Sequence, residues 1–134
     1  MLDLEIITPE KVLVKEQVDM VEARGVYGEF GILPGHTQFL TIIEIGEVRY
    51  TKDGTIHYLA TSGGFTEVIN DRVTILLDDA ELAEEIDVEK AKREMEKAES
   101  ALRALTFDQI EYKLMETALF KSIMKIEVAS KRHL

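Results

Sequence analysis

Ile86-Asp87-Val88-Glu89-Lys90-Ala91-Lys92-Arg93-Glu94-Met95-Glu96-Lys97-Ala98-Glu99-Ser100-Ala101-Leu102-Arg103-Ala104-Leu105 is the stretch on which the fold turns. Val88, Ala91, Met95, Ala98, Leu102 and Leu105 follow one another in alternating steps of three and four, which is the seam of a helix that pairs with another helix. The positions between them are mainly Glu, Lys and Arg, as a solvated outer face requires. Asp87 stands where a side-chain oxygen can cap the first turn.

Upstream the period is different. Leu2-Leu4-Ile6, Val12-Val14, Val48-Tyr50, Ile56-Tyr58-Ala60 and Val73-Ile75-Leu77 alternate with largely polar neighbours, the pattern of half-buried strands. Asp53-Gly54 between two such runs suits a two-residue hairpin turn, because both residue types tolerate positive φ. Asn70-Asp71 marks a second hairpin. Gly25, Gly28, Gly31, Gly35, Gly46 and Gly63-Gly64 break the pattern into short pieces, which favours an antiparallel sandwich or flattened barrel of about ten strands over a parallel α/β sheet.

Downstream, Thr106 and Gln109 have the form of a capping box, so a second helix is predicted to begin there and run to residue 130. So short a connection makes an antiparallel hairpin, and Ala91, Ala98, Ala101 and Ala104 allow close approach of the backbones. Apolar residues of the second helix, among them Phe107, Ile110, Leu114, Leu119, Phe120, Ile123 and Met124, spread around most of its circumference. One partner helix cannot cover them all, so they need either the sandwich or another subunit. The expected class is therefore α+β: a β-sandwich over residues 1–85, then a two-helix hairpin over 86–134.

Composition narrows the function. The chain has 134 residues and no cysteine, which excludes disulfides and thiolate chemistry. Its net charge of −10 is concentrated in residues 1–86, where 17 acidic face 6 basic residues, making nucleic acid an unsuitable partner. Lys121, Lys125, Lys131 and Arg132 form a locally basic end suited to an acidic protein surface, or simply to the helix dipole. The N-terminus lacks the features of a signal peptide and no run is long enough to span a membrane, so cytoplasmic residence is expected. His36, His57 and His133 lie far apart, without metal-ligand spacing, and no nucleophile–base pair is evident. The chain reads as a binding protein rather than a hydrolase, with a free-standing acidic adaptor as one possibility.

Gly28-Glu29-Phe30-Gly31-Ile32-Leu33-Pro34-Gly35-His36 lacks the Gly-Lys-Ser/Thr ending of a phosphate-binding loop, and a chain of tight turns is its expected structure. It closely resembles the Gly-Glu-Leu-Gly-Ile-Leu-Pro-Gly-His signature of the epsilon subunits of F-type ATP synthases, with Phe30 in place of Leu. Ser62-Gly63-Gly64-Phe65-Thr66-Glu67-Val68 is similar to a second block of that family, and Val73-Thr74-Ile75-Leu76 to the strand that closes its sandwich.

The resemblance implies a non-catalytic component of the rotating central stalk, on the cytoplasmic face of a bacterial inner membrane and attached to it only through the complex. It implies that the sandwich binds the gamma subunit and c-ring, with Glu29, Pro34, Gly35 and His36 in the contact loop. It also implies that the hairpin can extend toward the beta subunit and restrain ATP hydrolysis, through Lys121, Lys125, Lys131 and Arg132. Some members bind ATP at Ile/Leu-Asp-x-x-Arg-Ala. Here the run is Ile86-Asp87-Val88-Glu89-Lys90-Ala91, with Glu81, Lys97 and Lys125 as further candidates. Lys90 lacks the planar fork of Arg, so only a weak regulatory site is expected, and no other cofactor.

Overall fold

The computed structural model describes residues 1–132, which form nine strands, a 3₁₀ turn and two helices. They divide into two compact units, the first from Met1 to Leu82 and the second beginning at Ala83.

In the first unit the strands are β1 (Leu2–Ile7), β2 (Val12–Val18), β3 (Met20–Gly25), β4 (Gly28–Ile32), β5 (Phe39–Lys52), β6 (Thr55–Thr61), β7 (Gly64–Ile69), β8 (Arg72–Leu77) and β9 (Ala80–Leu82). One layer runs β2-β1-β8-β7-β5 and the other β4-β3-β5-β6-β9. β5 serves both: Phe39–Ile43 pairs with β7, whereas Gly46–Lys52 pairs with β6. Between these halves the β3 register jumps from Ala23↔Val48 to Gly25↔Ile43, so on the β3 side β5 carries extra residues, and the irregularity redirects the strand. The inward phase of the alternation, including Leu2, Leu4, Ile6, Val21, Val48, Leu59, Val68, Val73 and Ile75, is buried and forms the core between the layers.

Both predicted hairpins close as two-residue turns. Asp53 and Gly54 have φ of 50° and 79°, and Asn70 and Asp71 have 48° and 64°, which identifies type I′ geometry even without glycine in the second turn. At Gly63-Gly64 the constraint is steric. A Cβ on Gly64 would overlap the Leu76 carbonyl oxygen and come within 2.8 Å of Leu77 Cα.

Two sequence expectations need correction here. Pairing is not antiparallel throughout, because β1 and β8 run parallel from Asp3↔Arg72 to Ile7↔Leu76. The strands between them provide the long crossover that a parallel pair requires. Gly28–Ile32, expected as tight turns, is strand β4, paired with β3 from Gly25↔Gly28 to Val21↔Ile32. Gly28 and Gly31 are exposed while Phe30 and Ile32 turn toward the core, so only two apolar residues carried its alternation.

In the second unit a 3₁₀ turn over Ala83–Glu85 leads to α1 (Val88–Ala104), and α2 (Ile110–Ala129) packs along α1 and reaches back to the 3₁₀ turn, making the pair antiparallel. Asp87 Oδ1 accepts the Lys90 N–H at 3.0 Å, the expected cap. Ala91 and Ala98 of the seam are buried. The second helix starts four residues later than Thr106. The Thr106 hydroxyl donates to the Asp108 carboxylate at 2.6 Å, and Gln109 Oε1 accepts the Thr106 N–H at 2.8 Å. Only half of a capping box forms, and it closes a turn that delivers Gln109 as the N-cap residue.

Candidate functional site

The segment from Gly28 to His36 presents its candidate residues at opposite ends of β4. Glu29 lies in the strand itself, opposite Arg24 near the β3–β4 turn, and not in the loop where it was expected. Its carboxylate is 3.8 Å from Arg49 Nη1, with the Glu29 side chain 69% exposed. Arg49 also donates to Glu22 at 2.8 Å and Glu47 at 3.0 Å. The hydrogen bond to Glu22 holds the guanidinium above its ordinary range, only partly opposed by burial.

Beyond the other end of β4, Leu33-Pro34-Gly35-His36 closes a turn in which the His36 N–H donates to the Leu33 carbonyl at 3.1 Å. Gly35 has φ of 86°, the conformation a type II turn demands after proline. The His36 ring packs edge-on against Phe39 at 5.4 Å, and Phe39 against Phe30 at the same distance, so an aromatic cluster seats the turn on the sandwich. His36 Nδ1 lies 2.8 Å from the Thr37 carbonyl. His57 instead stacks on Tyr50 across β5 and β6, centroids 4.8 Å apart. His133 lies outside the described residues.

A further surface was not singled out by sequence. Ile42, Phe65, Leu76 and Ile7 are successive cross-strand neighbours on β5, β7, β8 and β1, forming one apolar row on the outer face of a layer. Ile42 is 59% exposed and Phe65 44%, with Leu40 at 68% two residues before Ile42 on the same face. The signal was present in the doubled pairs Ile6-Ile7, Ile42-Ile43 and Leu76-Leu77, where alternation gives way and both faces of a strand become apolar.

The residues considered for ATP are divided between the units. Glu81 lies on β9 of the first, and the other six in the second. Ile86 and Ala91 are buried, and one Asp87 oxygen is engaged in capping, which leaves Lys90 and Lys97 as the exposed members on α1. Antiparallel pairing sets Lys125 level with the first turn of α1. Lys121 and Lys125 are half-buried on α2, while Lys131 and Arg132 follow its last turn. Phe107, Ile110, Leu114, Phe120 and Ile123 are exposed, as the circumferential spread of apolar residues predicted.

Residues 1–83 match the family model described as "ATP synthase, Delta/Epsilon chain, beta-sandwich domain", and residues 84–130 the one described as "ATP synthase, Delta/Epsilon chain, long alpha-helix domain". The chain belongs to the ATP synthase delta/epsilon family. Among its curated relatives, the ATP synthase epsilon chain of Geobacter sp. (strain M21) is 45% identical over 97% of this chain and 94% of its own length. That of Geobacter sulfurreducens is 44% identical over the same shares. A chain in the cryo-EM structure of the Euglena gracilis mitochondrial ATP synthase, OSCP/F1/c-ring, superposes with a TM-score of 0.79 at 25% identity, covering 98% of this chain and 81% of that one. A chain of the Tetrahymena thermophila central stalk/c-ring structure shares the fold, with a TM-score of 0.65 at 11% identity and 96% of each chain covered. As an epsilon-type family member the protein is an accessory central-stalk subunit of the F-type ATP synthase, and not a catalytic one. Family membership sets aside the free-standing adaptor.

Proposed function

We propose that this chain couples rotor and ring by docking its sandwich on the gamma subunit and c-ring, and that its hairpin restrains ATP hydrolysis by reaching the beta subunit. The apolar row Ile42–Phe65–Leu76–Ile7 carries the first part of the reading. Cross-strand apolar neighbours left open on the outside of a sandwich mark a surface that a partner covers. The Pro34–His36 turn supplies a second, polar contact, and the acidic sandwich suits basic loops on the ring. The exposed apolar residues and basic end of α2 support the inhibitory part, because they offer surface for a second packing outside the hairpin.

The complex would hold the chain peripherally at the cytoplasmic face of the bacterial inner membrane, and no helix among the described residues is long and apolar enough to cross one. ATP is proposed as no more than a weak regulatory ligand. The capping role of Asp87 and the burial of Ile86 and Ala91 leave little of the candidate motif facing outward.

The test is reconstitution of an F1 assembly depleted of its epsilon subunit. Added chain should co-elute with gamma and lower the ATPase rate. Replacing Ile42 and Phe65 by Ser should weaken that association by about tenfold or more, as loss of a central interface anchor does. Equal co-elution of the double variant would remove the apolar row from the docking surface.

A further inference from the structure

Asp71 belongs to the β7–β8 turn, thirty-six positions from Gly35 in the chain, yet its Oδ1 accepts the Gly35 N–H at 2.7 Å. The same residue's carbonyl accepts the Asp3 N–H at 2.8 Å. Asp71 thus joins the start of β1, the β7–β8 hairpin and the Pro34-Gly35 turn. The bond is charge-assisted and short, and it reaches an amide that the type II geometry points away from its own turn.

We propose that Asp71 is a positioning residue for the Pro34–His36 docking turn, fixing its height on the sandwich so that it meets the partner already shaped. The inference rests on the proposed reading of that turn as a contact with gamma and the ring. The His36–Phe39–Phe30 ring cluster holds one side of the turn, and Asp71 holds the other at the Gly35 amide. Without the carboxylate the glycine regains a backbone freedom larger than that of any other residue, which must then be lost on docking.

A favourable substitution separates this role from general stability. Asp71 occupies the second position of a type I′ turn with φ of 64°, where glycine is preferred. Asp71→Gly in the full chain therefore keeps the hairpin and the carbonyl bond to Asp3 while deleting only the tether. Asp71→Asn keeps an acceptor in the same place and also tolerates this backbone conformation.

Amide exchange at Gly35, melting temperature and affinity for an isolated gamma–c-ring subassembly would be measured for all three proteins. Expected for Asp71→Gly are an unchanged or higher melting temperature, exchange at Gly35 faster by about tenfold, and affinity lower by up to about tenfold. Asp71→Asn should stay close to the parent in all three measurements. Unchanged exchange at Gly35 in Asp71→Gly would overturn the tether, and faster exchange with unaltered affinity would overturn its role in docking. Failure of the parent chain itself to bind the subassembly would overturn the reading of the turn, and the proposal with it.

Discussion

Arg49 and Glu22 face each other across the β3–β5 ladder, guanidinium Nη2 to carboxylate Oε2 at 2.8 Å, with both side chains about three-quarters buried. Glu47 and Glu29 approach the same guanidinium, so one cation balances three carboxylates. Arg49→Met should destabilise the sandwich by about 1–3 kcal/mol, because it strands partly buried carboxylates without a counter-charge. The raised Arg49 pKa means that its contribution is fully present below the unfolded value and is lost only as pH rises through the folded one. Denaturant melts of the parent should therefore show no loss from this group between neutral and mildly alkaline pH. A variant as stable as the parent would show the network to be energetically idle.

Gly64→Ala tests the close approach of β7 to β8. The added methyl collides with the backbone at Leu76 and Leu77, which cannot move without parting the ladder, and a cost on the order of 3 kcal/mol is expected. Gly54→Ala meets no neighbouring atom and should cost only about 1–2 kcal/mol, the conformational penalty of a left-handed residue. Thermal denaturation of the two variants side by side would decide the matter, and equal losses would argue against the collision.

Thr66 is fully buried and its hydroxyl has no hydrogen-bond partner among the described residues. Thr66→Val, nearly identical in shape, should stabilise the chain by about 1 kcal/mol by removing an unsatisfied polar group. A loss of stability on urea denaturation would mean that the hydroxyl is solvated or bonded in solution.

Truncation after Glu85 should leave a cooperatively folding β unit, since its core cluster, among the described residues, lies between Leu2 and Leu82. Non-cooperative unfolding of the fragment would show that the hairpin is needed for the sandwich to form.

Replacing Lys121, Lys125, Lys131 and Arg132 by Ala should relieve inhibition of ATP hydrolysis while leaving assembly almost intact. Raising ionic strength to about 0.1 M and beyond should partly mimic the change, as the screening length falls to about 10 Å or less. If inhibition persists in the variant, Phe120 and Ile123 hold the inhibitory state by apolar contact, which their replacement by Ser would then abolish.

Much of this architecture is legible in the residues, because local chemistry and final structure agree there. Asp53-Gly54 and Asn70-Asp71 are turns for reasons contained in two residues each, and the seam from Val88 to Leu105 carries its own period. What escaped depends on partners distant in sequence. The parallel pairing of β1 with β8 joins segments separated by most of the sandwich, and no local pattern encodes it. The late start of α2 is a local exception: the Thr106 hydroxyl donates to the Asp108 carboxylate, and the Gln109 N–H that it would accept in a full capping box donates to the Thr106 carbonyl instead. For the site, the Pro34-Gly35 turn was readable from its residue types, whereas its tie to Asp71 exists only once both hairpins are in place.

The passage of β5 from one layer to the other has a mechanical consequence. A sideways load applied to the face bearing Leu40 and Ile42 enters a strand whose continuation, Gly46–Lys52, is the middle of the opposite sheet. Force therefore crosses the domain along covalent backbone instead of through the side-chain contacts between layers. A body braced in this way resists shear between its layers, and a part that must be turned from one side while gripped on another needs that stiffness.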